Sequence, residues 1–348
     1  MSGFLIQTVL AAVVLISVLS FAGFHAWLER KQSAVMQDRI GANRASIFGV
    51  RALGLFHPIA DAIKLFMKED FVPAQGDKFL HTLAPFLSMT FALVAFAAIP
   101  FGDVLKIGSL EIPLQVAPLN VGLLYLLAMM SMGVYGVILA GLSSNSNYAF
   151  LGGLRASSQM LAYEITLGAT ILGIVMIFGT VNLQEIVRHQ GKLLGGWLPM
   201  WGVFLQPVGL LLFLAAGIAE TKRIPFDVPE GESEIVGYFV EYSGMKFGMF
   251  FFTDFIETIL IACLTATLFF GGWQVPYLEF FRLPALAVTL LQVGAFVLKV
   301  CFFSWLFMTL RWTLPRFRYD QLMRLGWKII FPLSLANLLV TAFILLFI

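Results

Sequence analysis

The amino-acid sequence predicts an all-α polytopic membrane protein, and three observations support this fold class. Of the 348 residues, 59% are hydrophobic and 12% are charged, against roughly 25% charged residues in soluble domains. Apolar runs of about 20 residues, the length that crosses a bilayer as a helix, recur along the chain. The alternating segments of about ten residues that are typical of an outer-membrane barrel are absent from the sequence.

Eight apolar runs are predicted to be transmembrane helices of a single integral-membrane domain, 1–348. The predicted spans cover residues 4–28, 82–101, 119–142, 158–181, 199–219, 246–271, 284–310 and 329–348. We expect the first run to be a retained span rather than a cleaved signal peptide, because no basic residue precedes it.

The distribution of Lys and Arg predicts the orientation of these spans. The loops on one side carry eight basic residues in 29–79, one at Arg155, three in 219–246 and five in 311–328. The opposite loops carry only four, which are Lys106, Arg188, Lys192 and Arg282. Since basic residues concentrate in cytoplasmic loops, we predict a multi-pass protein of the bacterial inner membrane with both termini on the outer, periplasmic side.

The first cytoplasmic loop contains an amphipathic stretch between Ala52 and Lys68. Its apolar residues recur at steps of three and four, at Ala52, Leu55, Phe56, Ile59, Ile63 and Phe66. Asp61, Lys64 and Lys68 share a different face. This pattern predicts a helix that lies along the membrane interface. It is either a surface connector or the edge of an opening through which an amphiphilic molecule enters from the lipid.

Four ionisable residues fall within predicted spans: Glu164, Asp254, Glu257 and Lys299. A charge at mid-bilayer costs about 2.5 to 3.5 kcal/mol on insertion scales, so these side chains are expected to face the bundle interior. Asp254 and Glu257 are one helical turn apart and point the same way. We interpret the acids as a proton or cation pathway, with a static ion pair as the alternative. For Lys299 we favour a static ion pair or a polar contact between helices.

Residues 219–244 form an acidic loop, which reads AETKRIPFDVPEGESEIVGYFVEYSG. Its acids are Glu220, Asp227, Glu230, Glu232, Glu234 and Glu241, and its only cations are Lys222 and Arg223. Pro225 and Pro229 interrupt any helix in the first half. If the second half is helical, Glu230, Glu234 and Glu241 share one face. We interpret the loop as a partly buried, proton-exchanging cluster beside a docking surface; a solvated acidic face is the alternative.

No motif in the sequence predicts a bound metal or redox cofactor. Cys263 and Cys301 both lie within spans, without a CxxC pair, so iron–sulfur, haem and zinc sites are not predicted. A GxGxxG motif and a P-loop are also absent. The net charge of +2 follows the membrane topology and does not indicate nucleic-acid binding.

Four cytoplasmic stretches resemble, in order, those of one family of membrane-arm subunits, the H-type subunits of proton-pumping NADH:quinone oxidoreductase (respiratory complex I). They are ERK…GANR…HPIADAIKLFMKED, LRASSQMLAYE, AETKRIPFDVPEGESEIVGYFVEYSG and RWTLPRFRYDQLMRLGWK. The resemblance covers roughly residues 20 to 330, and the acidic loop is its most specific part. It implies a translocase subunit that forms part of a quinone-binding chamber and couples quinone reduction to proton translocation.

The resemblance also implies roles for particular residues. The quinone channel or its surroundings would include Arg30, Arg39, Asp61, Lys64 and Phe226. Proton coupling would involve Glu220, Arg223, Asp227, Glu230, Glu232, Glu234 and Glu241. Glu164, Asp254 and Glu257 would continue that pathway into the bundle.

The implied substrate is a quinone, and the chain itself would carry no redox cofactor. Iron–sulfur clusters and flavin would belong to partner subunits, namely the peripheral-arm quinone-site and iron–sulfur subunits, beside other membrane-arm subunits. The sequence leaves open ubiquinone or menaquinone, and NADH or another electron donor. Alternative functions are the membrane anchor of a membrane-bound hydrogenase or another respiratory oxidoreductase, a stand-alone proton-coupled transporter, and a passive anchor.

Overall fold

The computed structural model describes residues 3–107, 110–194, 197–228, 237–278 and 284–347, and these form an almost entirely helical protein. The helices are α1 (Gly3–Met36), α2 (His57–Met67), α3 (Lys78–Ala95), α4 (Gly122–Ser143), α5 (Asn147–Phe178), α6 (Leu183–Gln190), α7 (Gly202–Leu205), α8 (Pro207–Glu220), α9 (Gly244–Phe269), α10 (Ala285–Thr313), α11 (Tyr319–Leu325) and α12 (Phe331–Leu345). Two short antiparallel hairpins pair β1 (Val104–Ile107) with β2 (Leu110–Pro113), and β3 (Leu193–Leu194) with β4 (Leu198–Pro199).

Seven helices in the described part of the chain are long and apolar enough to cross a membrane, which confirms the predicted fold class. They cover Phe4–Met36, Lys78–Ala98, Gly122–Ser143, Asn147–Phe178, Gly244–Phe269, Ala285–Thr313 and Tyr319–Leu345. The last of these joins α11 to α12 through a π-helical turn. Two helices extend beyond the predicted spans on the charged side. Helix α1 continues beyond 28 to Met36, and α5 begins at Asn147, so it includes Arg155.

The predicted span 199–219 is not one continuous long helix. Residues 202–205 form the single turn of α7, Gln206 has non-helical dihedral angles, and α8 begins at Pro207. Pro207 has no N–H to donate and its ring would clash with the preceding turn, so a helix cannot run straight through it. Helix α8 has 14 residues and is therefore about 21 Å long, less than the roughly 30 Å of bilayer hydrocarbon.

Helix α9 lies at the centre of the bundle. It packs against α1, α2, α3, α6, α8 and α10. From Thr253 to Phe269 every residue is buried except Glu257, whose side chain is 14% exposed. Asp254 and Glu257 therefore lie among other helices and not on a surface open to lipid.

The loops predicted to share a side do lie together. Ser243 Oγ donates a hydrogen bond to the Glu69 carbonyl (2.9 Å), and Arg316 pairs with Asp227 (2.7 Å). We call this the inner face; it is formed by residues 37–77, 144–146, 221–228, 237–243 and 314–318. The opposite end, the outer face, carries both hairpins and α6.

The predicted amphipathic helix is present as α2. It begins at His57 with Pro58 in its first turn, where a proline is tolerated because no hydrogen bond is lost. The side chains of Ile59, Ile63 and Phe66 are exposed, so its apolar face is turned away from the bundle. An apolar face left open next to two spanning helices suits a position along the membrane interface.

Candidate functional site

A buried cation lies between two acids in the middle of the bundle. Lys222 Nζ is 3.2 Å from Asp254 Oδ1 and 3.3 Å from Glu257 Oε2. Only 2% of the Lys222 side chain is exposed. Asp254 and Glu257 come from α9, whereas Lys222 comes from the turn after α8. We call these three residues the Lys222 cluster.

The electrostatic surroundings keep Lys222 protonated. Burial alone would lower the pKa of Lys222, but attraction by Glu257, Tyr238 and Asp254 outweighs it and raises that pKa well above its ordinary value. The ammonium group also lies 6.0 Å from the centre of the Tyr238 ring. Lys222 is therefore a permanent cation at working pH, and any change of protonation in the cluster falls on its carboxyl groups.

Two further acids extend the cluster towards α4 and α5. Glu220, the last residue of α8, is 3% exposed, and its Oε2 has no hydrogen-bond partner among the described residues. Glu220 and Glu257 line one cavity with room for about one water molecule. Glu164 of α5 accepts a hydrogen bond from Ser131 of α4, and it interacts electrostatically with Glu220. Four acids from α5, α8 and α9 thus form one electrostatic group with Lys222.

A second ionic cluster adjoins the first on the inner-face side. Glu29 accepts from Arg223 at 3.2 Å and from Arg311 at 2.8 Å, and the three side chains are mostly buried. The Arg223 guanidinium also lies 4.1 Å from the centre of the Phe255 ring, within cation–π distance. Sequence reasoning did not single out Glu29 or Arg311. Glu29 was assigned to a loop, whereas α1 continues through it and turns it inwards.

The first half of the acidic loop is packed onto the bundle. Gln159 Nε2 of α5 donates to the carbonyls of Ala219 (2.7 Å) and Phe226 (2.8 Å). These two bonds hold both ends of the turn that carries Lys222 and Arg223. Within this turn, Lys222 contacts the acids of the first ionic cluster and Arg223 contacts Glu29 of the second.

Phe226 and Asp227 are buried at the end of this turn. The Phe226 ring lies 5.8 Å from that of Tyr163 and 5.5 Å from that of Phe317. Asp227 forms its 2.7 Å ion pair with Arg316 from the segment after α10. The buried, paired position of Asp227 excludes a solvated acidic face for this half of the loop.

Other predicted site residues lie where α1 meets α2. Arg30 forms an ion pair with Asp61, and Lys64 lies 3.5 Å from the same carboxylate. Arg39 does not join this group: its guanidinium donates to the Gln37 side chain at 2.7 Å. These groups are exposed or half-buried, unlike the clusters inside the bundle.

Only part of the second half of the acidic loop lies within the described residues. Glu230, Glu232 and Glu234 lie outside the described residues. Glu241 is half-buried in a turn just before α9 and is not part of a helix. The shared face was predicted only for a helical second half, so with Glu230 and Glu234 outside the described residues it stays a prediction. Gly237 has a φ of +113°, a backbone conformation that favours glycine.

Lys299 pairs with no acid among the described residues, contrary to one of the two expectations for it. Its Nζ donates to the carbonyls of Phe270, Gly272 and Gln274, each at 2.8 Å. These carbonyls follow the C-terminus of α9, where backbone acceptors have no partners within the helix. The side chain thus makes the polar contact between segments that was the other expectation.

Comparisons with known proteins decide the family. The sequence profile of the family described as NADH dehydrogenase matches residues 8–342. The chain belongs to the NADH dehydrogenase family. The family predicted from the four inner-face motifs is therefore confirmed.

Curated relatives of this family resemble the chain over nearly its whole length. The NADH-quinone oxidoreductase H subunit 1 of Cytophaga hutchinsonii is 43% identical over 98% of this chain and 97% of its own length. The NADH-quinone oxidoreductase H subunit of Thermomicrobium roseum is 44% identical over 98% and 96%. NADH-quinone oxidoreductase subunit 8 of Rhodothermus marinus is 43% identical over 96% and 95%.

Proposed function

We propose that this NADH dehydrogenase family member is a membrane subunit of a proton-translocating NADH:quinone oxidoreductase and couples quinone reduction to proton movement. The observation that carries the proposal is the Lys222 cluster with its two neighbouring acids. A permanent cation and four carboxyl groups, held inside the bundle of such a relative, form a set of sites whose protons depend on one another. A subunit that served only as a membrane anchor would not need these buried ionisable groups.

The quinone route begins at the junction of α1 and α2. The exposed apolar face of α2 would guide the quinone tail from the bilayer, while Arg30, Asp61 and Lys64 offer polar contacts to its headgroup. Arg39 lies at the edge of this route, and Phe226 borders its deeper end. The chain would thus form part of a quinone-binding chamber that is completed by a partner subunit.

Coupling depends on Lys222 and Arg223, which are adjacent in the sequence and contact different ionic clusters. Quinone reduction takes up two electrons and two protons, and when the electrons arrive before the protons an anionic quinone species forms for a time near Arg223 and Glu29. Arg223 also interacts electrostatically with Glu257, and Lys222 contacts Glu257 directly. A change of charge near Arg223 therefore alters the proton affinity of Glu257. Glu220 and Glu164 would pass that proton on, and Asp254 would balance the charge of Lys222.

The inner face is the surface on which partners would dock. The predicted loops on this side, 29–79, 219–246 and 311–328 with Arg155, hold 17 of the 22 Lys and Arg residues, which favours a cytoplasmic position for this face and a periplasmic one for both termini, in a bacterial inner membrane. Peripheral-arm subunits with iron–sulfur clusters and flavin would supply the electrons there. Other membrane-arm subunits would contact the sides of the bundle.

The proposal is tested with Glu220→Gln in the whole complex, in inverted membrane vesicles. This change removes the titrating group and preserves the shape of the side chain. We expect quinone-linked proton pumping to fall at least tenfold, while NADH oxidation by a water-soluble artificial electron acceptor stays unchanged. Glu111→Gln, an exposed acid of β2 on the outer face, is the matched control.

Normal pumping by an assembled Glu220→Gln complex would remove Glu220 from the pathway. Glu230→Gln and Glu234→Gln test the second half of the acidic loop in the same assay, and we expect the same selective loss of quinone-linked turnover. Purification of the chain with a nickel–iron hydrogenase instead of NADH-oxidising subunits would contradict the assignment of the complex. Solute transport by the purified chain alone would contradict its role as a subunit.

A further inference from the structure

A second cavity, on the outer face, is separate from both ionic clusters. Its volume is about 660 Å³, and it lies between the end of α6, the β3–β4 hairpin, residues 271–278 and the start of α10. The polar and aromatic side chains on its wall include Arg188, Lys192, Trp201, Trp273, Gln274 and Gln292.

Two cations, Arg188 and Lys192, and one acid, Asp103, line the cavity on a face that otherwise has few cations. The loops assigned to the outer face contain only four Lys and Arg residues, and two of them line this cavity. Arg188 is neutralised by Asp103 at 2.8 Å. Lys192 is exposed and forms no ion pair within the described part of the chain. Its positive charge is therefore available to a ligand.

The wall also presents buried hydrogen-bond donors that lack acceptors. The Nε1 atoms of Trp201 and Trp273 are both buried, and neither has a partner among the described residues. Trp273 is 2% exposed. An indole N–H can only donate, and buried donors without acceptors are rare in proteins. Two donors without acceptors and an exposed lysine, all on residues that line the same cavity, favour an anionic ligand with several acceptor oxygens.

The frame of the cavity is held without a ligand. Gln190 donates to the Thr267 carbonyl (2.8 Å) and accepts from the backbone N–H groups of Gly202 (3.2 Å) and Gly271 (2.9 Å). Lys299 fixes residues 270–274 through their carbonyls and lies 4.9 Å from the centre of the Trp201 ring. A site with fixed walls loses little conformational freedom on binding.

The position of the cavity identifies the source of the anion. It lies where α9 ends and α10 begins, so it meets the membrane–water boundary, the depth at which Trp and Tyr are enriched. A further cavity, which is apolar and has a volume of about 350 Å³, lies between α1, α9 and α10. Gln292 borders the polar cavity and the next residue, Val293, borders the apolar one. A ligand with a charged head and an apolar chain fits this pair better than a free anion.

We propose that the outer cavity binds the phosphate headgroup of an anionic phospholipid, with one acyl chain in the apolar cavity between α1 and α10. The indole N–H groups of Trp201 and Trp273 donate to the phosphate oxygens, and Lys192 supplies the opposite charge. The lipid thereby joins α6 and the ends of α9 and α10 on the face opposite the quinone route.

The test uses the whole complex with phosphatidylglycerol that carries a photoactivatable diazirine near its headgroup. Crosslinked peptides are mapped by mass spectrometry. We expect crosslinks within residues 184–201 and 271–278, and stronger labelling than with the matching phosphatidylcholine. Lys192→Gln and Trp273→Phe should each weaken binding about tenfold, the effect of losing one hydrogen bond or charge to a charged group.

Two control variants separate a specific site from general surface charge. Lys106→Gln removes a cation from the same face but outside the cavity, and Trp312→Phe alters an exposed indole at the other end of α10. Both should label as the wild type does. Because Lys192 is exposed, we expect the Lys192→Gln complex to assemble. Its labelling therefore tests the proposal even if Trp273→Phe fails to assemble.

Three results would overturn the proposal. Equal labelling by phosphatidylcholine would show that no anionic headgroup is recognised. Loss of labelling on addition of millimolar inorganic phosphate would identify a free anion as the ligand. A loss in Lys106→Gln as large as in Lys192→Gln would show only a diffuse attraction of lipid to the face.

Discussion

Lys222 and Lys299 both extend into the bundle, and their surroundings differ in one respect that matters. Lys222 is held by two carboxyl groups, whereas Lys299 is held by three backbone carbonyls. Both arrangements provide acceptors for an ammonium group inside the protein. Only the first has partners that can gain or lose a proton, so only the first can respond to a change of charge nearby. The comparison separates a cation with a structural role from one that can take part in proton transfer.

The largest effect is expected from Lys222→Met. It leaves Asp254 and Glu257 buried without their cation, and removing one partner of a buried ion pair costs about 3 to 5 kcal/mol. We expect quinone-linked pumping to fall more than a hundredfold, measured in vesicles after the amount of assembled complex has been determined. Wild-type pumping in the assembled variant would remove Lys222 from the mechanism.

Glu257→Gln should have the next largest effect, because it keeps the shape of the cluster and removes one titrating group. We expect the number of protons pumped per NADH to fall severalfold, while electron transfer to an artificial acceptor continues. The control is Glu185→Gln on α6, an exposed acid that accepts a hydrogen bond from Thr180. An unchanged proton-to-electron ratio in Glu257→Gln would favour a static ion pair.

Lys299→Met should affect stability and leave the chemistry intact. Three carbonyls near the end of α9 lose their donor, and a buried polar group without a partner costs about 1 to 3 kcal/mol. We expect the complex to inactivate several degrees lower in a thermal assay, with an unchanged proton-to-electron ratio. A changed proton-to-electron ratio at normal stability would show that Lys299 also takes part in proton transfer.

The smallest effect is expected from Lys222→Arg. The pKa of Lys222 is raised, so its contribution to stability is fully present below the ordinary lysine pKa of about 10.4 and is lost only as pH rises through the higher folded value. Between about pH 6 and 9 both side chains are cations. The midpoints of the pH profile of pumping should therefore not move, whatever the maximal rate. A moved midpoint would show that the geometry of the cation, and not its charge alone, sets the protonation of the neighbouring carboxyl groups.

The sequence predicted seven of the spanning helices, α2 and the inward position of the interior acids, since hydropathy and helical periodicity report these directly. It did not predict how far α1 extends, because charged residues end an apolar window although a helix can continue beyond the bilayer. For this reason Glu29 was not recognised as part of α1. The span at 199–219 was overextended because the apolar composition outweighed the effect of Pro207.

The partners of Lys222 and Lys299 could not be predicted, because they depend on contacts between separate segments. Lys222 was identified only as one of two cations of the acidic loop, yet its side chain contacts Asp254 and Glu257 of α9 inside the bundle. Lys299 was matched with acids, yet its nearest acceptors are backbone carbonyls that no pattern of residue types reveals. Both outcomes are decided by how α8, α9 and α10 pack.

The Lys222 cluster also has a consequence for how the chain enters the membrane during synthesis. Asp254 and Glu257 lie near the middle of α9, where each acid costs about 2.5 to 3.5 kcal/mol if that helix inserts alone. Lys222 leaves the ribosome earlier, at the end of α8, and is the ready counter-ion for both. We therefore expect α8 and α9 to leave the translocon as one hairpin. The Lys222 cluster, which is proposed to move protons in the finished enzyme, would first assist the insertion of α9.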